Sequence, residues 1–174
     1  MKHFATLILV LGALIGAREA KAQGYVRAEA MYLSSGGGSG SIDKTTRTLI
    51  DVGAGFAHAD GWTLGFLYGT EAVNYSSTSP STNRASFGPS VGWMQGPMNG
   101  VYTMFTYFLT STYSSYKGTG YQLDVGYQVP LGKVGLGVQL SYKRFKYPES
   151  GGATISPAYE QEFVDPYFTI NVAL

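Results

Sequence analysis

The chain has 174 residues, no cysteine, two histidines and a formal net charge of +1, with 44% hydrophobic and 13% charged residues. Near-neutrality argues against a nucleic-acid partner, and without cysteine an exported domain must hold together without disulfides. Twenty-four glycines and 14 tyrosines beside so little charge supply strand formers and close-packing positions but little to solvate a surface.

Lys2 and His3 precede an apolar run from Phe4 to Ala17, and Ala20-Lys21-Ala22 places small residues at an A-x-A cleavage site. This predicts a secretory signal peptide over residues 1–22, cleaved after Ala22, because a bilayer-spanning helix needs about 20 consecutive apolar residues. Removing Lys2, Arg18, Glu19 and Lys21 with it leaves nine Lys and Arg against ten Asp and Glu in residues 23–174, which form one domain.

From Gln23 onward apolar residues recur with period two rather than 3.6, which predicts eight β-strands. The first, about Tyr25 to Ser34, sets Val26, Ala28, Ala30 and Tyr32 against Arg27 and Glu29. The second, about Thr46 to His58, sets Thr48, Ile50, Val52, Ala54 and Phe56 against Arg47, Asp51, Gly53 and Gly55, and Asp60-Gly61 then marks a tight hairpin. The third sets Trp62, Leu64, Phe66 and Tyr68 against Thr63, Gly65, Gly69 and Glu71. The fourth sets Phe87, Pro89, Val91 and Trp93 against Arg84, Ser86, Gly88, Ser90 and Gly92.

The fifth, Val101 to Tyr113, is apolar on both parities, and Val101, Phe105, Tyr107 and Leu109 are assigned outward. The sixth sets Tyr121, Leu123, Val125, Tyr127 and Val129 against Gly118, Gly120, Gln122, Asp124, Gly126 and Gln128. The seventh, Val134 to Lys143, sets Val134, Leu136, Val138, Leu140 and Tyr142 against Gly135, Gly137, Gln139, Ser141 and Lys143. The eighth, Tyr167 to Leu174, carries Phe168, Ile170, Val172 and Leu174 on its apolar face.

Connections alternate in length. Ala59 to Gly61, Gln95 to Gly100 and Pro130 to Lys133 are short, whereas Ser34 to Lys44, Asn74 to Asn83 and Arg144 to Glu162 are expected as long loops. Short turns on one rim and long loops on the other are the pattern of a transmembrane β-barrel. The short connection at Ser114-Ser115 breaks it.

Alternation alone fits a soluble lipocalin-type barrel as well. The faces separate the two, because the charged face also carries most of the Gly and Ser, small residues that suit a narrow lumen and make a poor soluble exterior. Apolar faces turned outward around a whole ring require lipid. Trp62 and Trp93 fall beside short turns, and Tyr32, Tyr75, Tyr113, Tyr116, Tyr142 and Tyr147 fall near the opposite strand ends. These aromatics predict two interfacial belts, with Tyr32, Trp62, Trp93, Tyr127 and Tyr142 as the membrane girdle.

In this alternation the chain resembles the small bacterial outer-membrane barrels of the OmpA-transmembrane, OmpX and opacity-protein type, from about Tyr25 to Leu174. The resemblance implies an all-β, eight-stranded, antiparallel up-and-down barrel in the cell outer membrane, with both termini in the periplasm. It also implies that Phe168, Ile170, Val172 and Leu174 form the signal read by the outer-membrane insertion machinery. Such proteins usually end in Phe, so Leu174 is a departure. The expected surroundings are outer-membrane lipid and lipopolysaccharide, and the expected state is a monomer.

Some barrels of this size modify lipid A through a His near the outer rim. The mature chain's one histidine, His58, sits beside the Asp60-Gly61 turn on the opposite rim, with no serine beside it, so it reads as a turn residue and no catalytic group is expected. No metal or other cofactor is expected either. Arg27, Glu29, Arg47, Asp51, Glu71, Arg84, Asp124, Lys143 and Asp165 share the inward parity and should pair as an ion network inside the barrel. Arg27, Glu29, Asp51 and Asp124 are placed deep, and Arg47, Glu71, Arg84 and Lys143 nearer the mouth. A plugged lumen, a narrow ion path and adhesion through the long loops are the functions left open, the loops including the flexible Ser35 to Ser41 run.

Overall fold

The computed structural model describes residues 22–35, 45–75, 81–96 and 99–174. The expected signal peptide up to Lys21 and the glycine-rich stretch after Ser35 lie outside them. Eight strands follow in chain order: β1 Gln23–Ser35, β2 Thr45–Ala57, β3 Trp62–Tyr75, β4 Thr82–Gly96, β5 Asn99–Tyr113, β6 Tyr116–Leu131, β7 Val134–Ser150 and β8 Ala153–Ala173. Each pairs antiparallel with its neighbours, and β1 pairs with β8, so the sheet is a closed up-and-down barrel.

The strands form because alternation lets every one of them send one row of side chains into the ring and the other outward. Inward rows are rich in Gly, Ser and Thr, which leaves room for the large polar groups that fill the interior. Outward rows are apolar and exposed: Phe56, Trp62, Val164 and Phe168 keep 61%, 63%, 61% and 70% of their surface.

At the rim carrying Gln23 and Ala173, β2 joins β3 through a turn in which Gly61 adopts φ 92°, and β6 joins β7 through Gly132 at φ 68°. Trp93 Nε1 donates to the Asp60 carbonyl at 3.2 Å and ties that turn to β4. At the far rim, β5 meets β6 at Ser114-Ser115 with Ser114 at φ 53°. β7 meets β8 at Gly151-Gly152, whose φ values of 59° and 84° suit a two-residue hairpin that L side chains resist.

Two expectations are corrected. Arg144 to Glu162 is not a long loop: β7 runs on to Ser150 and β8 starts at Ala153, a hairpin paired through Ser150 and Ala153. Its alternation inverts past Lys143, with Phe145 and Tyr147 buried inside while Arg144 and Lys146 face out. A search for outward grease therefore loses the strand there. The short Ser114-Ser115 connection follows from the same architecture, since β5 and β6 also run unbroken to a tight tip.

Tyr113, Tyr116 and Tyr147 do not belong to an outer belt. A register shift between Phe108 and Ser111 in β5 reverses parity, and Tyr113 turns inward. Tyr116 and Tyr147 already lie on the inward parity of their strands, and the three rings pack together inside. The side chain of Tyr75 lies outside the described residues.

The seam between β1 and β8 is short. Only Tyr25 to Ala30 pair with Ala173 to Phe168, whereas β1 pairs with β2 along its whole length. Continued two steps, the register would set Tyr32 opposite Pro166, which has no N–H to donate.

Candidate functional site

The interior is built in layers. Nearest the rim carrying Gln23 and Ala173, Tyr25, Ala57 and Ala173 form an apolar floor, with Asn171 Nδ2 donating to Gln128 Oε1 at 2.8 Å above it. Arg27 occupies the next layer. It pairs with Glu29, donates from Nη2 to Asp124 Oδ2 at 3.2 Å, touches Met104 and Gln139, and lies 5.3 Å from the centre of the Tyr102 ring. Gln139 then donates to Glu29 at 2.7 Å, and Tyr102 donates to Gln139 at 2.9 Å.

One layer further, Lys143 Nζ donates to Asp51 Oδ2 at 2.7 Å and to the Tyr167 hydroxyl at 2.6 Å. Toward the far mouth, Arg47 donates to Glu71 at 2.7 Å and to Asp165 at 3.0 Å, and Arg84 donates to Glu71, to Gln161 and, at 3.0 Å, to Tyr147. The Arg84 guanidinium sits 4.4, 4.6 and 5.2 Å from the Phe145, Phe163 and Tyr113 ring centres. Tyr116, Tyr147 and Tyr159 complete that aromatic cap, with Tyr116 and Tyr159 centres 5.0 Å apart.

The interior therefore holds all nine singled-out charges, each with an oppositely charged partner. Their grouping differs from the expected one. Asp51 belongs to Lys143 rather than to the Arg27 layer, because the four-carbon lysine stem reaches one layer down. Arg27 thus faces two carboxylates rather than three. Gln139 and Tyr167 join the network from inward parities that the sequence shows but carry no formal charge to mark them, whereas Tyr102 lies on a strand apolar on both parities and Gln161 in a stretch that reads as a loop.

Among the described residues, the space between the two upper charge layers is small. Between the Lys143 layer and the Arg84 layer lies a void of about 10 Å³ lined by Asp51, Glu71, Arg84, Phe108, Lys143 and Phe145. Such a volume admits at most one water.

Outside the ring, Trp62 stands opposite Trp93 near the rim carrying Gln23 and Ala173, and Tyr127 stands one strand from Val101 just above it. Tyr32 is 65% exposed toward the other side, and the Tyr142 hydroxyl donates to Glu162 at 2.6 Å. Phe168, Ile170 and Leu174 are exposed and Val172 half-buried, all on the outward row of β8. His58 lies in the β2–β3 turn, where its ring contacts Asp60 at 3.3 Å.

Above Tyr142 the outward row of β7 becomes charged. Arg144 donates to Glu160 at 2.9 Å and Lys146 approaches the same carboxylate at 3.6 Å. The hydrogen bond from Arg144 holds the Glu160 carboxyl below the usual range for a glutamate.

No family model and no curated protein matches the chain. Among solved structures, one described as outer-membrane expressed OmpT of Vibrio cholerae is similar at a TM-score of 0.34 and 11% identity, over 87% of this chain and 50% of that one. The chain thus spans about half the length of that structure, and the fold assignment stands on the closed ladder of strands itself.

Proposed function

We propose that the chain is a bacterial outer-membrane β-barrel with a plugged polar lumen, serving membrane integrity and surface display rather than catalysis. The observation that carries this reading is the inversion of polarity. Buried charges fill the interior, while an exposed apolar row on every strand encircles the outside.

Such a ring far exceeds the few hundred Å² of apolar patch that a soluble monomer tolerates. Its height also fits a bilayer. On β8 the outward apolar run from Val164 to Leu174, at about 3.3 Å per residue and a tilt of about 40°, covers roughly 25 Å, the height of the lipid-facing band in such barrels. Trp62, Trp93 and Tyr127 lie toward one edge of this band, Tyr32 and Tyr142 toward the other, as interfacial side chains do.

In this reading the rim carrying Gln23 and Ala173 faces the periplasm, and the β5–β6 and β7–β8 tips face outward. Phe168, Ile170, Val172 and Leu174 address the insertion machinery, and the barrel is a monomer surrounded by outer-membrane lipid and lipopolysaccharide. The turn position of His58 supports a non-enzymatic role. A narrow ion path is the second reading, favoured by the two carboxylates that share Arg27.

Cell fractionation with gel migration of boiled and unboiled samples tests the main reading. The protein should partition with the outer membrane and shift on heating. Recovery as a soluble periplasmic protein without a shift would overturn it.

A further inference from the structure

Among the described strands, charge on the outer wall at the height of Tyr32 and above is confined to one sector. Among the described residues, the outward rows of β1 to β5 carry none, and at the height of Tyr32 and above they present Thr46, Thr48, Thr70, Ala72 and Asn83. On β6, β7 and β8 the same height carries Lys117, Arg144, Lys146, Glu149, Glu160 and Glu162.

The sector holds three cations and three carboxylates, with Glu162 in register opposite Arg144, but the close contacts are not shared out one to one. Arg144 and Lys146 converge on the single carboxylate of Glu160, and Glu162 accepts from Tyr142. Lys117 stands 3.8 Å from Glu149, beyond hydrogen-bond length, and Lys117 and Lys146 keep 67% and 64% of their side chains exposed. Arg144 uses Nη2 on Glu160 out of a fork of five N–H donors, a geometry suited to oxyanions with paired oxygens.

Their position matters as much as their charge. Val164 and Tyr142 end the apolar run, and Arg144 and Lys146 follow at the next two outward positions, within about one strand-pair repeat of the lipid edge. In the outer-membrane reading, groups at that height that point away from the barrel face the headgroup layer.

From this placement we infer that the β6–β8 sector is a docking surface for phosphate-bearing lipid headgroups of the outer leaflet, with Arg144 and Lys146 as the principal contacts and Lys117 as a supporting one. Glu160 positions the two cations and competes with the phosphate for them. The inference rests on the outer-membrane reading, so its test must report the two separately.

The full barrel is refolded into nanodiscs of phosphatidylcholine doped with diphosphoryl lipid A, and lipid retained on purification is quantified by mass spectrometry. Heat-modifiable migration of the same samples reports the membrane-barrel reading. Retention of lipid A by R144Q/K146Q should fall on the order of tenfold relative to the parent, and K117Q should give a smaller loss. E160Q should raise retention severalfold, a gain that a purely structural ion pair would not produce. K133Q, on the other rim, should match the parent. Lipid A stripped of its phosphates should be retained by none of them. The inference is overturned if R144Q/K146Q retains lipid A as the parent does, if E160Q lowers retention, or if dephosphorylated lipid A is held equally well. Loss of the heat shift in the parent itself would remove the membrane reading and this inference with it.

Discussion

Lys143 is 7% exposed and Asp51 is 1% exposed, so the pair is shielded from water and each is the other's oppositely charged neighbour. Deleting one partner of a buried pair costs about 3–5 kcal/mol, largely because the survivor stays buried and unpaired. Lys143→Met should therefore lower the unfolding free energy in lipid vesicles by that amount, and adding Asp51→Asn should restore most of it. A single K143M variant that unfolds at the parent's urea midpoint would show that this layer contributes little. Inward parity identified both residues from the sequence, but their partnership was not legible. Parity records the side of a strand and says nothing of how far a flexible stem leans along the axis, and Lys143 leans toward the deeper layer.

Strands are legible where their outward row meets the expected solvent. Within the apolar band every strand but β5 shows grease on one parity, and which face of it turns outward follows from that. Past the band the outward row must be polar and the inward row can be aromatic. That is why the β7–β8 hairpin, with Phe145 and Tyr147 inside, resembled a loop. The β5 register shift was hidden for another reason: Tyr102, Met104 and Phe108 face inward, so both parities are apolar. The band itself makes a depth-dependent prediction. Ile170→Arg, near its middle, should cost about 2–4 kcal/mol in refolding equilibria with lipid vesicles, and Thr119→Arg, above Tyr121 on β6, about 0–1 kcal/mol. Equal penalties at the two positions would mean that no lipid boundary lies between them.

For the whole molecule the proposed plug makes a prediction about permeation. Glu29 and Asp124 share Arg27, and the Lys143 layer and the Arg84 cap lie between them and the far mouth. In planar bilayers the parent should be closed or show rare small events. Arg27→Ala should leave two uncompensated carboxylates, loosen the plug and favour cations in the current that appears. A large steady current in the parent, or anion preference in the variant, would contradict a sealed lumen.

The short seam also sets the order in which the molecule can come into being. Seven of the eight ladders join strands adjacent in the chain and can zip from a local turn or loop, whereas the eighth brings Tyr25 to Ala173. Closing a loop of that length from a flexible chain costs about 4 kcal/mol in entropy before any seam contact offsets it. The seam offsets it with only six residue pairs, formed when the ring closes. Until then β1 keeps an unpaired edge, so the nascent sheet spends its whole assembly with a sticky side exposed, and an escort that masks the β1 edge would shorten the time in which two such sheets could join each other instead of closing.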